Sequence, residues 1–120
     1  IAVVASVSGY RGLRSALGYG ATKAALINMC EAMRMELGDQ GITVQVVNPG
    51  FIKTPLTDKN DFPMPFLMPV DKAVERFYRG LLSNRFEITF PKRFTWILKA
   101  LRILPYWIYL PLMNRITKAG

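Results

Sequence analysis

Tyr19-Gly20-Ala21-Thr22-Lys23 opens a helical pattern running from about Gly18 to Leu37, set between two apolar β-branched stretches, Ile1-Ala2-Val3-Val4 and Thr43-Val44-Gln45-Val46-Val47-Asn48. Such Val and Ile runs read as buried strands, and Gly38 and Gly41 are stop signals for the helix between them. Farther along, Asp71 to Leu82 carries Val74, Phe77, Tyr78, Leu81 and Leu82 at helical spacing and is predicted to cover the sheet. Phe86, Ile88 and Phe90 alternate with Glu87 and Thr89, the period of a strand, which Pro91 closes. Strand, helix, strand, helix, strand predicts an α/β fold with parallel strands and helices on both faces.

The same stretch carries chemistry. Tyr19 and Lys23 are four residues apart, so on a helix they share a face, and the ammonium lowers the cost of a developing phenolate. A phenol titrates near pH 10 in water, and each unit of depression is worth about 1.4 kcal/mol of preference for the anion. Ser6 follows the first strand directly and has to sit at its end to reach the same substrate oxygen. A phenol, a hydroxyl and an ammonium at one place suit proton transfer at a carbonyl. Taken alone, a helical tyrosine with a nearby lysine is an amphipathic surface pair, and Ser6 and Ser8 beside Gly9 are turn residues. Asn48-Pro49-Gly50-Phe51-Ile52-Lys53-Thr54 downstream changes that balance.

With these motifs in this order, the sequence resembles the short-chain dehydrogenase/reductase family, in its Tyr-x-x-x-Lys group. The likeness covers nearly all of residues 1 to 54 and fades after that. It implies a Rossmann-like doubly wound parallel sheet, present here as its carboxy-terminal half. It makes Tyr19 the general acid/base, Ser6 the hydroxyl that orients and polarises the carbonyl, and Lys23 the residue that binds nicotinamide ribose and tunes Tyr19. It also makes the turn from Pro49 and Gly50 to Thr54 the wall of the nicotinamide pocket, with the Ile52 backbone and the Thr54 hydroxyl toward the carboxamide. The implied cofactor is NAD or NADP, and the implied substrate is a small alcohol or carbonyl compound. The family's glycine-rich turn for the pyrophosphate has no counterpart, and Gly18-Tyr19-Gly20 lacks the third glycine and the preceding strand. The family's upstream helical asparagine is likewise without a match. A start at Ile1, inside a core strand, makes a truncated or excised piece the expectation, with a sheet edge open and poor stability in isolation.

Two segments go beyond the minimal pattern. Between Pro55 and Pro69 four prolines interleave with Phe62, Met64, Phe66, Leu67 and Met68, which reads as an irregular substrate lid suited to an apolar carbonyl compound, or as a loop merely anchored to the core. On the 18–37 helix, Ala24, Ile27, Ala32 and Leu37 are expected to face the core, with Ala25, Met29, Met33 and Met35 widening the apolar surface. In the resembling family that helix packs against its twin, so a homo-oligomer is expected through it.

The tail sets the domain reading: residues 1–93 as half of a cofactor-binding domain and 94–120 as an apolar basic tail. From Ile88 to Gly120 there are six cations (Lys92, Arg93, Lys99, Arg102, Arg115, Lys118) and no acidic residue, out of a net charge of +8. Trp96, Tyr106, Trp107 and Tyr109 prefer a membrane interface. Lys99 and Arg102 would each cost about 3 kcal/mol at a bilayer centre, and Pro105 and Pro111 interrupt the helix, so an interfacial helix pair over 94–117 fits better than a span. A soluble role as pocket cover or subunit contact fits equally. No nucleic-acid-binding motif accompanies the charge. With no histidine, a Ser-His-Asp hydrolase and histidine metal sites are excluded from this stretch. Cys30 is alone, expected buried, and suits a reducing, cytoplasmic setting. The competing function is a non-catalytic relative that uses its tail for membrane docking or assembly.

Overall fold

The computed structural model describes residues 1–53 and 66–118. In chain order the elements are β1 (Ala2–Val4), a 3-10 turn (Val7–Gly9), α1 (Leu17–Gly38), β2 (Gln45–Pro49), β3 (Ile52–Lys53), β4 (Met68–Pro69), α2 (Val70–Leu82), β5 (Glu87–Phe90), α3 (Lys92–Arg102) and α4 (Tyr106–Lys118). β1, β2 and β5 form a parallel sheet in that order, with Val46 opposite Val3 on one side and Glu87 on the other. The alternating side-chain direction of a strand then splits the core in two. On one face Val44 and Val46 pack with Ile27 and Cys30 of α1 and with Phe94 and Leu98 of α3. On the other, Val47, Ile88 and Phe90 pack with Ala73 of α2, and the Phe77 ring lies 6.3 Å from that of Phe90. Parallel strands with helices on both faces are the doubly wound arrangement expected, and among the described residues β1 pairs with β2 alone.

The rotation of α1 and α2 differs from what their sequence patterns predict. In α1, Ile27 and Cys30 are buried while Ala24 and Ala32, expected in the core, are exposed. Apolar residues surround this helix, so periodicity selects no face and the docking surface of the sheet does. Leu17, Met29 and Met35 point away from the sheet into solvent. In α2, Val74, Tyr78 and Leu82 are exposed instead of covering the sheet, and the contact line runs through Ala73, Phe77 and Gly80. Small residues let the helix come closer than the bulky stripe allows. A Cβ built on Gly80 would stand 2.8 Å from Ile88 Cγ1, with other Ile88 atoms nearer or just beyond.

Among the described residues of the proline-rich stretch there is one short regular element that its composition concealed. Met68–Pro69 pairs in parallel with Ile52–Lys53, and Met68 N–H donates to Phe51 O at 2.9 Å. Pro69 is the last residue of its strand, where its missing N–H is not asked for. In the tail, Pro105 separates α3 from α4, but Pro111 lies inside α4, which continues through it. A proline there forfeits one intrahelical bond, and the side-chain contacts of α4 with the loop after the 3-10 turn hold the helix across it. Among the described residues no helix is long and apolar enough to cross a membrane.

α3 is tied to the sheet by charge as well as by packing. The Glu87 carboxylate accepts hydrogen bonds from Tyr10 Oη, from Lys99 Nζ and from Asn48 Nδ2, the last at 2.8 Å. Burial by itself raises the Glu87 pKa, but the donors from Lys99, Tyr10 and Asn48 outweigh it and hold the carboxyl below its usual range. Burial, followed by the bond to Glu87, pushes the Tyr10 phenol well above its ordinary value.

Two outcomes are expected. Gly80→Ala pushes α2 off β5 and costs about 1–3 kcal/mol, read as a lowered urea midpoint, and the same change costs less in an Ile88→Ala background, which removes both Cγ atoms that the new methyl would meet. Glu87 has a folded pKa below its unfolded value of ~4.3, so its contribution is present above that pH and is lost as pH falls through the depressed folded pKa. Denaturant titrations across this acid range should therefore show Glu87→Gln to be less stable than wild type at neutral pH and to lose less on acidification.

Candidate active site

β1 delivers its chain directly to Ser6: Ala5 N–H donates to Val47 O at 2.7 Å, and Ser6 follows in extended backbone (φ −174°, ψ 154°). The Ser6 Oγ accepts Ser8 N–H at 3.1 Å, capping the 3-10 turn, and the residue is only 6% exposed. A hydroxyl that accepts in this way keeps its hydrogen for donation. The site's second element is the first turn of α1, which carries Tyr19, 55% exposed, with Lys23 one turn on. Lys23 Nζ lies 5.2 Å from the Tyr19 ring centroid, so the ammonium stands over the phenol as the four-residue spacing predicts.

What brings the serine turn to this helix is the absence of side chains. A Cβ on Gly9 would meet Lys23 C at 2.7 Å and Ala24 N at 2.8 Å, both backbone atoms that cannot swing aside. One turn earlier, Gly20 stands close to Ser8 O in the same way. The turn that begins at Ser6 is therefore seated on the segment of α1 that carries Tyr19 and Lys23. Sequence reasoning named Gly9 only as the neighbour of Ser6 and Ser8; its closeness to Lys23 depends on a helix docking that no local spacing reports.

The third element is the end of β2. Pro49 closes the strand, and Gly50 N–H donates to Phe90 O at 2.9 Å, which holds the turn beside the end of β5. The Phe51 ring stacks on Phe94 at 5.8 Å, and Ile52 enters β3. Ser6, the Pro49–Ile52 turn and Phe90 all lie at the carboxyl ends of parallel strands, the edge at which open α/β sheets bind ligands. Of the apolar residues after this turn, Phe66 and Leu67 are partly exposed, and the Phe66 ring lies 5.9 Å from Phe94. Met68 is a core residue, packed with Val47, Ala73, Ile88 and Phe90, because β4 turns it beneath the sheet. Thr54, Phe62 and Met64 lie outside the described residues.

Sequence reasoning also passed over the polar groups behind the site. Asn48 is fully buried, gives its Nδ2 to Glu87, and has no partner for Oδ1 among the described residues. Tyr10 and Glu87 are 77 positions apart, a separation at which no motif is legible. The arrangement fits the nicotinamide-ribose end of a dinucleotide: a cation beside a phenol, a buried hydroxyl, and a backbone turn at the strand ends. The described residues hold no glycine-rich turn between a strand and a helix for a pyrophosphate.

Comparison with known proteins accords with this geometry. The family described as "short chain dehydrogenase" matches residues 1–63. An uncharacterized oxidoreductase of Myxococcus xanthus is 38% identical over 102 residues, covering 85% of this chain and 40% of that protein. The crystal structure of a short-chain dehydrogenase from Burkholderia cenocepacia in complex with NADP aligns with a TM-score of 0.74 at 26% identity, over 96% of this chain and 46% of that one. A short-chain dehydrogenase from Sphingobium yanoikuyae in complex with NADPH aligns with a TM-score of 0.66 at 28% identity, over 76% of this chain and 37% of that one. The chain thus spans less than half the length of each of these three proteins. A family match over 63 of the 120 residues, joined to structural agreement through β5 and the tail, has one meaning: the chain belongs to the short-chain dehydrogenase family.

Proposed function

We propose that the protein is an NAD(P)-dependent oxidoreductase that interconverts an alcohol and a carbonyl, with Tyr19 as proton donor and acceptor. The observation that carries this reading is the seating of the Ser6 turn on the Tyr19–Lys23 turn of α1 through Gly9. Residues 1–93 are then the half of the cofactor domain that addresses nicotinamide, consistent with the partial coverage of its relatives. Bound nicotinamide supplies or removes the hydride at the carbonyl carbon. Ser6 donates its hydroxyl hydrogen to the substrate oxygen and fixes its position. Tyr19 passes its proton to that oxygen as charge develops there, and the Lys23 ammonium stabilises the resulting phenolate. Lys23 would also hold the ribose hydroxyls, and the Pro49–Ile52 turn would line the carboxamide, with Thr54 as the further residue that the family resemblance implies there. Both NAD and NADP suit these residues. The partly exposed Phe66 and Leu67, beside the stacked Phe51 and Phe94 rings, favour a lipophilic substrate. The exposed Leu17, Met29 and Met35 on the outer face of α1 suit a second copy of the chain. Nothing in the comparisons favours the non-catalytic alternative.

A membrane-surface role for the tail stands as a second reading, favoured by its exposure. Ile103 is 83% exposed and Trp107 77%, with Trp96 and Tyr106 close behind, in a segment that carries no acid after Glu87.

In the full-length protein, Tyr19→Phe should lower kcat by about 10²–10⁴-fold with cofactor Kd unchanged, as measured by nicotinamide fluorescence. Wild-type turnover in that variant would overturn the assignment. For the tail, sedimentation with anionic vesicles and the emission of Trp96 and Trp107 provide the check. A blue shift that salt reverses supports surface docking, and no binding to anionic vesicles removes it.

A further inference from the structure

We infer that the carboxy-terminal helices α3 and α4 position the loop between Ser6 and Tyr19, and that Arg11 is the positioning residue through which they act. The inference rests on Ser6 and Tyr19 being the proton-transfer pair. The loop after the 3-10 turn joins these two side chains, and its residues are spent on the tail. Arg11 Nη1 donates to the carbonyls of Leu101 at 2.8 Å and Arg102 at 3.1 Å, and also to that of Leu104. These carbonyls lie at the end of α3 and just past it, where a cation is favoured, and that of Leu101 also accepts Leu104 N–H at 3.3 Å. The guanidinium plane also lies over two rings of α4, 3.9 Å from the Tyr109 centroid and 5.3 Å from that of Tyr106. Tyr109, itself buried, returns a hydrogen bond from its hydroxyl to Gly12 O. Two residues on, Arg14 donates to Thr117 Oγ1 at 3.0 Å and to Asn114 Oδ1.

Every one of these bonds spans 90 or more positions and fastens the loop, not the catalytic pair itself. A planar cation that donates to several carbonyls while stacked on a ring defines both place and orientation, which a lysine cannot reproduce. Arg11 touches neither Ser6 nor Tyr19 in the described contacts. Its effect falls on the wall against which the substituents of the carbonyl compound rest. Loosening it leaves proton transfer intact and weakens the seating of a large substrate more than that of a small one.

The test uses the full-length protein, purified with Arg11→Gln, Arg11→Lys and Tyr109→Phe, and a series of ketones of increasing bulk. Folded fraction is read by near-UV circular dichroism and cofactor Kd by nicotinamide fluorescence. Arg11→Gln should raise KM for the bulky ketones by about tenfold or more, with kcat held within about threefold and cofactor Kd unchanged, and Arg11→Lys should not rescue it. Hydrogen exchange should rise over residues 10–16 in the same variant. KM values equal to wild type across the series at full folded fraction would overturn the inference, and so would a uniform loss of kcat and cofactor affinity. If Arg11→Gln fails to fold, Tyr109→Phe removes only the hydroxyl on Gly12 O and should give the same size-dependent KM pattern in smaller measure. No size dependence in a folded Tyr109→Phe protein refutes the positioning role. Turnover that survives Tyr19→Phe would instead sink the catalytic assignment, and the exchange rates of residues 10–16 still report on the clamp.

Discussion

The carboxylate of Glu87 is the point on which the structure converges. It sits at the start of β5, and its three donors come from the segment after the 3-10 turn (Tyr10), from β2 (Asn48) and from α3 (Lys99). A partly buried charge is costly unless it is paired and its lone pairs are met, and removing one donor leaves an uncompensated ion rather than a smaller gain. The loop, the sheet and the tail therefore adopt their positions together. Arg102, whose guanidinium lies 5.1 Å from the Tyr10 ring, adds a second link between the same two segments. With α3 held in this place, Phe94 comes to rest against Phe51 and Phe66, at the turn assigned to nicotinamide.

Small residues do the complementary work of letting elements approach. Gly9 brings the serine turn onto α1, and Ala73 with Gly80 brings α2 onto Ile88. These contacts are backbone-close and tolerate no added methyl without a shift, so they define distance more sharply than the larger side chains around them. The candidate site inherits that rigidity on its catalytic side. The loop between Ser6 and Tyr19 is held from elsewhere in the chain, through Arg11, Gly12 and Arg14.

The tail illustrates how composition and structure answer different questions. Its charge and aromatic content are those of an interfacial segment, yet Lys99 is committed to Glu87, and Phe94, Thr95 and Leu98 are buried against the sheet. Its exposed apolar residues, Trp96, Ile103 and Trp107 among them, belong to the side turned from the core. One helix pair presents a structural face and an uncommitted one, and hydropathy sums the two.

The sequence by itself determined the strand–helix alternation, the parallel α/β class and the shared helix face of Tyr19 and Lys23, because strand periodicity, helix stops and a four-residue helical spacing are local properties of the chain. It determined neither helix rotation nor the close approaches. α1 is apolar on every side, so burial of Cys30 rather than Ala32 was decided by which face met Val44 and Val46. The stripe on α2 pointed to Val74 and Tyr78, but the helix settled on Ala73 and Gly80 because proximity to Ile88 gains more than covering it with larger groups. The bonds of Tyr10 to Glu87 and of Arg11 to the end of α3 join residues 77 to 93 positions apart. Only tertiary structure decides such pairs, since the energy of a buried charge or an uncapped helix end depends on what the whole fold brings to it.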